Sequence, residues 1–255
     1  MIKKIYEYRE FLKTNVKKDI RGKYKGSFLG VIWSFLNPLL SALVYALVFP
    51  FILKNTQDNY VVYIIIGIIP WTFFTTVISQ GTYCILANSG VIKKVYFPRE
   101  ILPISVVTSG LVNFLISLII IFLFLIFSGI GFSKYLIFLP LVIIIQYILL
   151  LGIVFISSAI NVYVRDTEHL INFFVSMLFY ATPILYSPST LPSHLKTILN
   201  LNPMATVING YRDILYYQVL PDFKMLFIVL ILSVILLFIG SLVFSKLEKG
   251  FAEEV

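Results

Sequence analysis

VVYIIIGIIPWTFFTTVISQGTYCIL, residues 61–86, runs for twenty-six positions without one charged side chain. A helix that crosses a bilayer needs about 20 predominantly apolar residues, since in hydrocarbon only a helix or closed barrel satisfies its own N–H and C=O groups. Five further stretches are of the same kind: 29–53, 104–128, 135–160, 168–186 and 223–245. The composition agrees. Hydrophobic residues make up 59% of the 255 and charged ones 13%, against about 45–50% and 25% in an ordinary soluble domain. A mean hydropathy of +0.96 leaves more apolar surface than one core of this size can hide from water. The expectation is an all-α integral membrane protein, 1–255 forming a single domain with six transmembrane helices. The first span begins too late, behind too long a basic flank, to be a cleaved signal peptide.

An even number of spans puts both ends of the chain on one side, and the cations say which. With the ends cytoplasmic, segment 1–28 carries nine Lys and Arg, the 88–103 loop adds Lys93, Lys94 and Arg99, the 161–167 loop adds Arg165, and the tail adds Lys246 and Lys249. Lys54, Lys134, Lys196, Arg212 and Lys224 fall on the other side. The excess on the first side predicts that it is cytoplasmic. The last outer connection, 187–222, is long and rich in Pro, Ser and Asn, yet it holds apolar runs that an exposed loop would not need. Short re-entrant helices, dipping partway into the outer leaflet among protein, account for both features.

Ile5, Tyr8, Leu12, Val16 and Ile20 recur every three or four residues, with Lys13, Lys17, Lys18 and Arg21 off that stripe. Such a basic amphipathic helix lies in the membrane interface. It is either a lipid anchor or a contact for a cytoplasmic partner or an anionic substrate head. Within the spans the polar residues form stripes: Gly30, Ser34, Asn37, Ser41 and Tyr45 on the first; Thr72, Thr75 or Thr76, Ser79 and Tyr83 on the second; Asn172, Ser176 and Tyr180 on the fifth. Small and hydroxyl residues either glue helices together or line a polar conduit. The sixth span offers few polar residues and is expected to face lipid.

The function classes narrow by what is missing. The spans bury almost no charge, which weakens an ion-driven carrier. The sequence contains no G-x-x-x-x-G-K-[ST] phosphate loop, so any ATP is hydrolysed on a separate subunit. Cys84 is the one cysteine, and His169 and His194 lie far apart, so neither a disulfide nor a zinc spacing exists within the chain. Ser187, Ser189 and His194 share a loop whose Pro188 and Pro192 explain it as turn chemistry. No catalytic set is expected.

Four stretches carry a resemblance to a known family. They are KYKGSFLGVIWSFLNPL at 23–39, VYFPREILP at 95–103, NVYVRD at 161–166 followed by TPILY at 182–186, and NPMATVINGYRDIL at 202–215. Together they resemble the membrane subunits of ABC transporters that export cell-surface polysaccharides such as O-antigen and teichoic acid. One departure is Lys23, where the family pattern has Arg; the charge is kept and the planar fork is lost. The resemblance implies a homodimer bound to two copies of a cytoplasmic ATP-binding subunit, which holds the ATP and Mg, with no cofactor on this chain. It implies contact with the ATPase through the interfacial helix and the 88–103 loop, where Lys93, Lys94, Arg99 and Glu100 are the coupling candidates. It implies a conduit walled by the first and fifth spans, making Ser34, Asn37, Ser41, Tyr45, Asn172, Ser176 and Tyr180 lining candidates. The cargo would be a polyprenyl-pyrophosphate-linked glycan, its head met by Lys23 and Lys25, and the setting the inner (plasma) membrane, with no nucleic-acid partner. Arg165 and Asp166 are expected to pair at the end of the fourth span. The rivals are a related exporter of drugs or lipids and a membrane-embedded glycosyl or polyprenyl-phosphate transferase.

Overall fold

The computed structural model describes residues 7–24, 26, 28, 33–53, 58–187, 192, 199 and 201–255, and among them every regular element is helical. The main helices are α1 (Arg9–Tyr24), α2 (Trp33–Leu53), α3 (Tyr60–Ala87), α4 (Ile101–Phe127), α5 (Leu139–Tyr163), α6 (Asp166–Tyr180), α7 (Pro203–Leu215) and α8 (Phe223–Leu247). Single turns occur at Ser89–Ile92 and Phe251–Glu254. Among the described residues, four segments are long and apolar enough to cross a membrane: Tyr60–Ala87, Ile101–Phe127, Lys134–Tyr163 and Phe223–Glu254.

One expectation changes. The segment 168–186 is not one helix: α6 ends at Tyr180 after 15 residues, a length of about 22 Å. Pro183 has no N–H to continue the ladder and disfavours helix at the residue before it, so 181–187 runs as bends. Within the described part of 187–222, Leu199 is helical and Pro203–Leu215 forms α7; the rest of 188–200, save Pro192, lies outside the described residues. Asn202 caps the first turn of α7 through the Met204 N–H at 3.0 Å, with Pro203 behind the cap, the arrangement a helix start favours. Most of α7 is buried against α3, α5 and α8.

α3 is the axis of the bundle, buried from Val62 to Trp71. Small residues set its distances. A Cβ on Gly110 of α4 would collide with Val77, and one on Gly81 would lie 2.6 Å from a Val154 methyl of α5. Phe73 stacks on Phe114 at 5.0 Å between ring centroids. Inside this apolar layer the polar groups are paired: Tyr211 Oη donates to Gln146 Oε1 at 2.9 Å, and the Gln146 amide donates to the Pro70 carbonyl at 2.9 Å. Such satisfaction is required where no water competes. α8 packs along α5 through glycines; a Cβ on Gly240 would sit 2.7 Å from the Gly152 carbonyl oxygen. The rest of α8 points outward as bare apolar side chains such as Phe227, Ile231, Phe238 and Leu242.

The connections gather at two ends. At one end α1, the 88–100 loop, the end of α5 and the residues after α8 share an apolar cluster built on Phe97, Phe155, Phe244 and Phe251, with Phe11 of α1 against Phe97 at 4.9 Å. At the other end Gln218 donates to the Ile130 carbonyl at 2.8 Å, Tyr60 to the Leu185 carbonyl at 2.6 Å, and Tyr216 to the Asp58 carbonyl. The first set comprises the segments whose cations place them together in the sequence.

Candidate functional site

α2, α3 and α6 enclose a laterally open groove of about 580 Å³. α2 contributes Ser41 and Tyr45; α6 contributes Asn172, Val175, Ser176, Phe179 and Tyr180; α3 contributes Ile68, Trp71, Thr72, Thr75, Thr76 and Ser79. Each set follows from helical period: 41 and 45 are one turn apart, as are 72, 75, 76 and 79, and 172, 176 and 179. Among the described residues, none that lines it carries a charge.

The aromatic side is contiguous. Phe179 meets Tyr45 at 6.1 Å, Trp71 at 5.8 Å and Tyr180 at 5.5 Å between ring centroids. The polar side is under-committed. Ser176 donates back to the Asn172 carbonyl at 2.8 Å and Thr75 to the Thr72 carbonyl at 3.2 Å, which leaves their oxygen lone pairs to accept. A hydroxyl has one donor and two acceptor sites, and an amide two of each. Hydroxyl and amide groups facing an aromatic wall can hydrogen-bond the hydroxyls of a sugar and pack its CH faces on rings.

Of the expected lining residues, Ser41, Tyr45, Asn172, Ser176 and Tyr180 come together here. Asn37 is exposed on α2 outside the groove, and the Ser34 side chain lies outside the described residues. The α3 wall was visible in the sequence as a stripe but not assigned to the conduit. The spacing of Thr72, Thr75, Thr76 and Ser79 was the available signal.

The coupling candidates divide. Lys93 and Lys94 are exposed, as are Val95 and Tyr96, the latter at 94%. Glu100 is buried beneath the start of α4. Arg99 turns inward: its Nη1 donates to the Glu248 carbonyl and its guanidinium carbon lies 5.9 Å from the centre of the Phe251 ring. The Lys23 side chain and Lys25 lie outside the described residues. Among the described residues no ion pair joins Arg165 to Asp166; both are exposed to solvent, where such a pair gains little.

The buried cation Arg212 was counted in the sequence only as an outer charge. It is 1% exposed, its guanidinium carbon 3.6 Å from the centre of the Tyr63 ring. Its Nη atoms donate to the carbonyls of Pro183, of Ile184 at 2.6 Å and of Tyr63 at 3.4 Å. A Cβ on Gly67 would lie 2.8 Å from Nη2, so the glycine makes room for the fork. Asn202 adds donations to the Ala181 carbonyl at 3.2 Å and to Thr182 Oγ1 at 2.8 Å, and Tyr63 one to the Tyr186 carbonyl at 3.0 Å. The carbonyls freed where α6 stops are thereby satisfied, and its groove-lining end is fixed. Beside Arg212, burial raises the Asp213 carboxyl to about 6, with Asp222 adding to the rise.

The profile of the ABC-2 type transporter family matches residues 10–216. The chain is 34% identical over 257 residues to an O-antigen export system permease protein RfbA of Myxococcus xanthus, covering all of this chain and 99% of that one. An RfbA permease of Klebsiella pneumoniae is 33% identical over 237 residues, 92% of this chain and 91% of that one. Four long apolar helices, a groove without charge and these full-length likenesses agree: the chain belongs to the ABC-2 type transporter family.

Proposed function

We propose that this chain is the transmembrane subunit of an ATP-driven exporter that moves a lipid-linked polysaccharide, of the O-antigen or teichoic-acid type, out of the cytoplasm. The observation that carries the reading is the α2–α3–α6 groove: hydroxyl, amide and aromatic groups side by side, with no charged side chain among the described lining residues to bind or relay an ion. The full-length relatives named as O-antigen export permeases support the cargo class.

In this reading α2 and α6 join the four long helices as the first and fifth of six spans, and α7 is the re-entrant element of the outer face. Two copies of the chain meet across the open sides of their grooves. An uncovered polar groove is costly in lipid, and α6, none of whose residues is buried, presents Phe173, Phe174 and Met177 as further surface to cover. Two cytoplasmic ATP-binding subunits, which carry ATP and Mg, dock on the end formed by α1 and the 88–103 loop. Both ends of the chain are cytoplasmic, in the inner (plasma) membrane. The lipid's pyrophosphate approaches along the same face, where Lys23 and Lys25 are its contacts.

Deleting the gene and restoring it with and without its ATP-binding subunit tests the reading. Surface polysaccharide should return only when both are present, and undecorated glycan should accumulate inside when either is absent. Glycan synthesis by the purified chain alone would identify a transferase instead, and export of unrelated amphiphiles with normal polysaccharide display would identify a drug or lipid exporter.

A further inference from the structure

We infer that residues 248–255 are a brace that positions the coupling loop, and that Arg99 is its positioning residue. This rests on the exporter reading above and adds to it the route by which movement of the loop reaches the spans.

The loop is held from two sides. On one, Phe97 packs on Phe11 of α1, and Lys18 donates to Asn88 Oδ1 at 3.2 Å. On the other, Arg99 donates to the Glu248 carbonyl and lies over Phe251. Between these anchors Val95 and Tyr96 stand exposed beside Lys93 and Lys94, so the surface left for a partner is 93–96, and Arg99 faces this chain instead.

The residues after α8 are equally committed. Phe251 is fully buried, 5.4 Å from Phe244 of α8 and 6.3 Å from Tyr163 of α5 between ring centroids. Tyr163 Oη donates to the Leu247 carbonyl at 2.8 Å, and any side chain at Gly250 would collide with that hydroxyl. A helix of one turn such as Phe251–Glu254 has no stability of its own, so tertiary contacts alone hold it in place. Segments beyond the last helix usually fray unless tied down; this one is tied to α5, α8 and the loop at once.

α5 and α8 touch backbone to backbone at Gly152 and Gly240, which makes them one stiff pair. A push on residues 93–96 therefore passes through Arg99 and Phe251 into that pair. Without the brace, the same push would be absorbed by a loop whose regular structure is a single turn.

The test uses the full chain assembled with its ATP-binding subunit in lipid, with ATP hydrolysis and polysaccharide export measured together. Phe251→Ala should keep hydrolysis while export per ATP falls about fivefold or more, the lower end of typical coupling between sites. Arg99→Gln, shorter and neutral, should lower export per ATP in the same way, and Arg99→Lys should recover it, because its longer cationic chain keeps both a donor for the Glu248 carbonyl and a charge over the Phe251 ring. Amide hydrogen exchange at 88–97 should quicken in Phe251→Ala with α3 and α5 unchanged, a readout that needs no transport. Unchanged export per ATP with unchanged exchange in both Phe251→Ala and Arg99→Gln overturns the brace. So does a loss of hydrolysis and export in step with loss of folded complex. If the wild-type complex itself exports no glycan, the exporter reading fails, and the exchange measurement still decides the brace.

Discussion

Arg212 shows how a single cation can be buried without an acid. Its fork is spent on carbonyls that α6 exposes by ending early and on the face of Tyr63, and guanidinium is the side chain suited to such stacked, multi-donor sites. Arg212→Met should cost about 2–5 kcal/mol, because buried carbonyls are left unpaired at about 1–3 kcal/mol each. A thermal melt of the purified protein reads this directly, and Arg212→Lys should recover only part of it. The neighbouring Asp213 has a pH signature. Its carboxyl is raised to about 6 in the fold from an ordinary 3.8, chiefly by burial, with Asp222 and Arg212 the charges facing it. The unfolded chain gives up this proton first, so stability falls as pH rises between those values and is flat above them. Asp213→Asn should therefore raise the melting temperature above pH 6 and change little near pH 4.

Among the elements, α6 and α8 make opposite use of their faces. α8 is fixed to α5 by glycine contact, so Gly240→Ala should destabilise the pair by about 1–3 kcal/mol through overpacking, seen as a lower melting temperature. α6 turns Asn172, Ser176 and Phe179 to the groove and apolar bulk outward. Asn172→Trp or Tyr180→Trp should block polysaccharide export while membrane insertion and ATP hydrolysis persist; normal export in both would reduce the stripe to helix packing. The sequence was most legible at this scale where hydropathy decides. Segment 61–86 is α3 to within a residue at each end, and 223–245 begins where α8 does. It was least legible where tertiary partners decide. The fifth span, read through Pro183 to residue 186, instead stops at Tyr180, and Arg212, Asn202 and Tyr63, all distant in sequence, make that break tolerable. Arg99 reads as a surface cation until Phe251 is packed beside it.

Taken whole, the molecule gathers its connections at two ends, and thiol labelling reads which side each faces. Cys84 is buried and is the only cysteine, so the wild type serves as a quiet background for labelling. Lys93→Cys should react with an impermeant thiol reagent only from the cytoplasmic side and Lys134→Cys only from the opposite side; reaction of both from one side would overturn the topology. The groove was half legible. The stripes of α2, α3 and α6 are equally suited by composition to gluing helices or lining a conduit; the family resemblance singles out the first and fifth spans, and the assembled bundle adds α3 to the same groove.

The two ends of α6 are alike in one further respect. Its C-terminal end runs into a strap, 181–186, moored by Arg212, Asn202, Tyr60 and Tyr63. Its N-terminal end follows α5 after only two residues, with the Thr167 N–H donating to the Val164 carbonyl at 3.1 Å and the Glu168 N–H to Asn161 Oδ1 at 3.1 Å. Held at both tips, α6 behaves as a strut, so any change that it makes in the width of the groove has to come with a movement of α5 or of the strap.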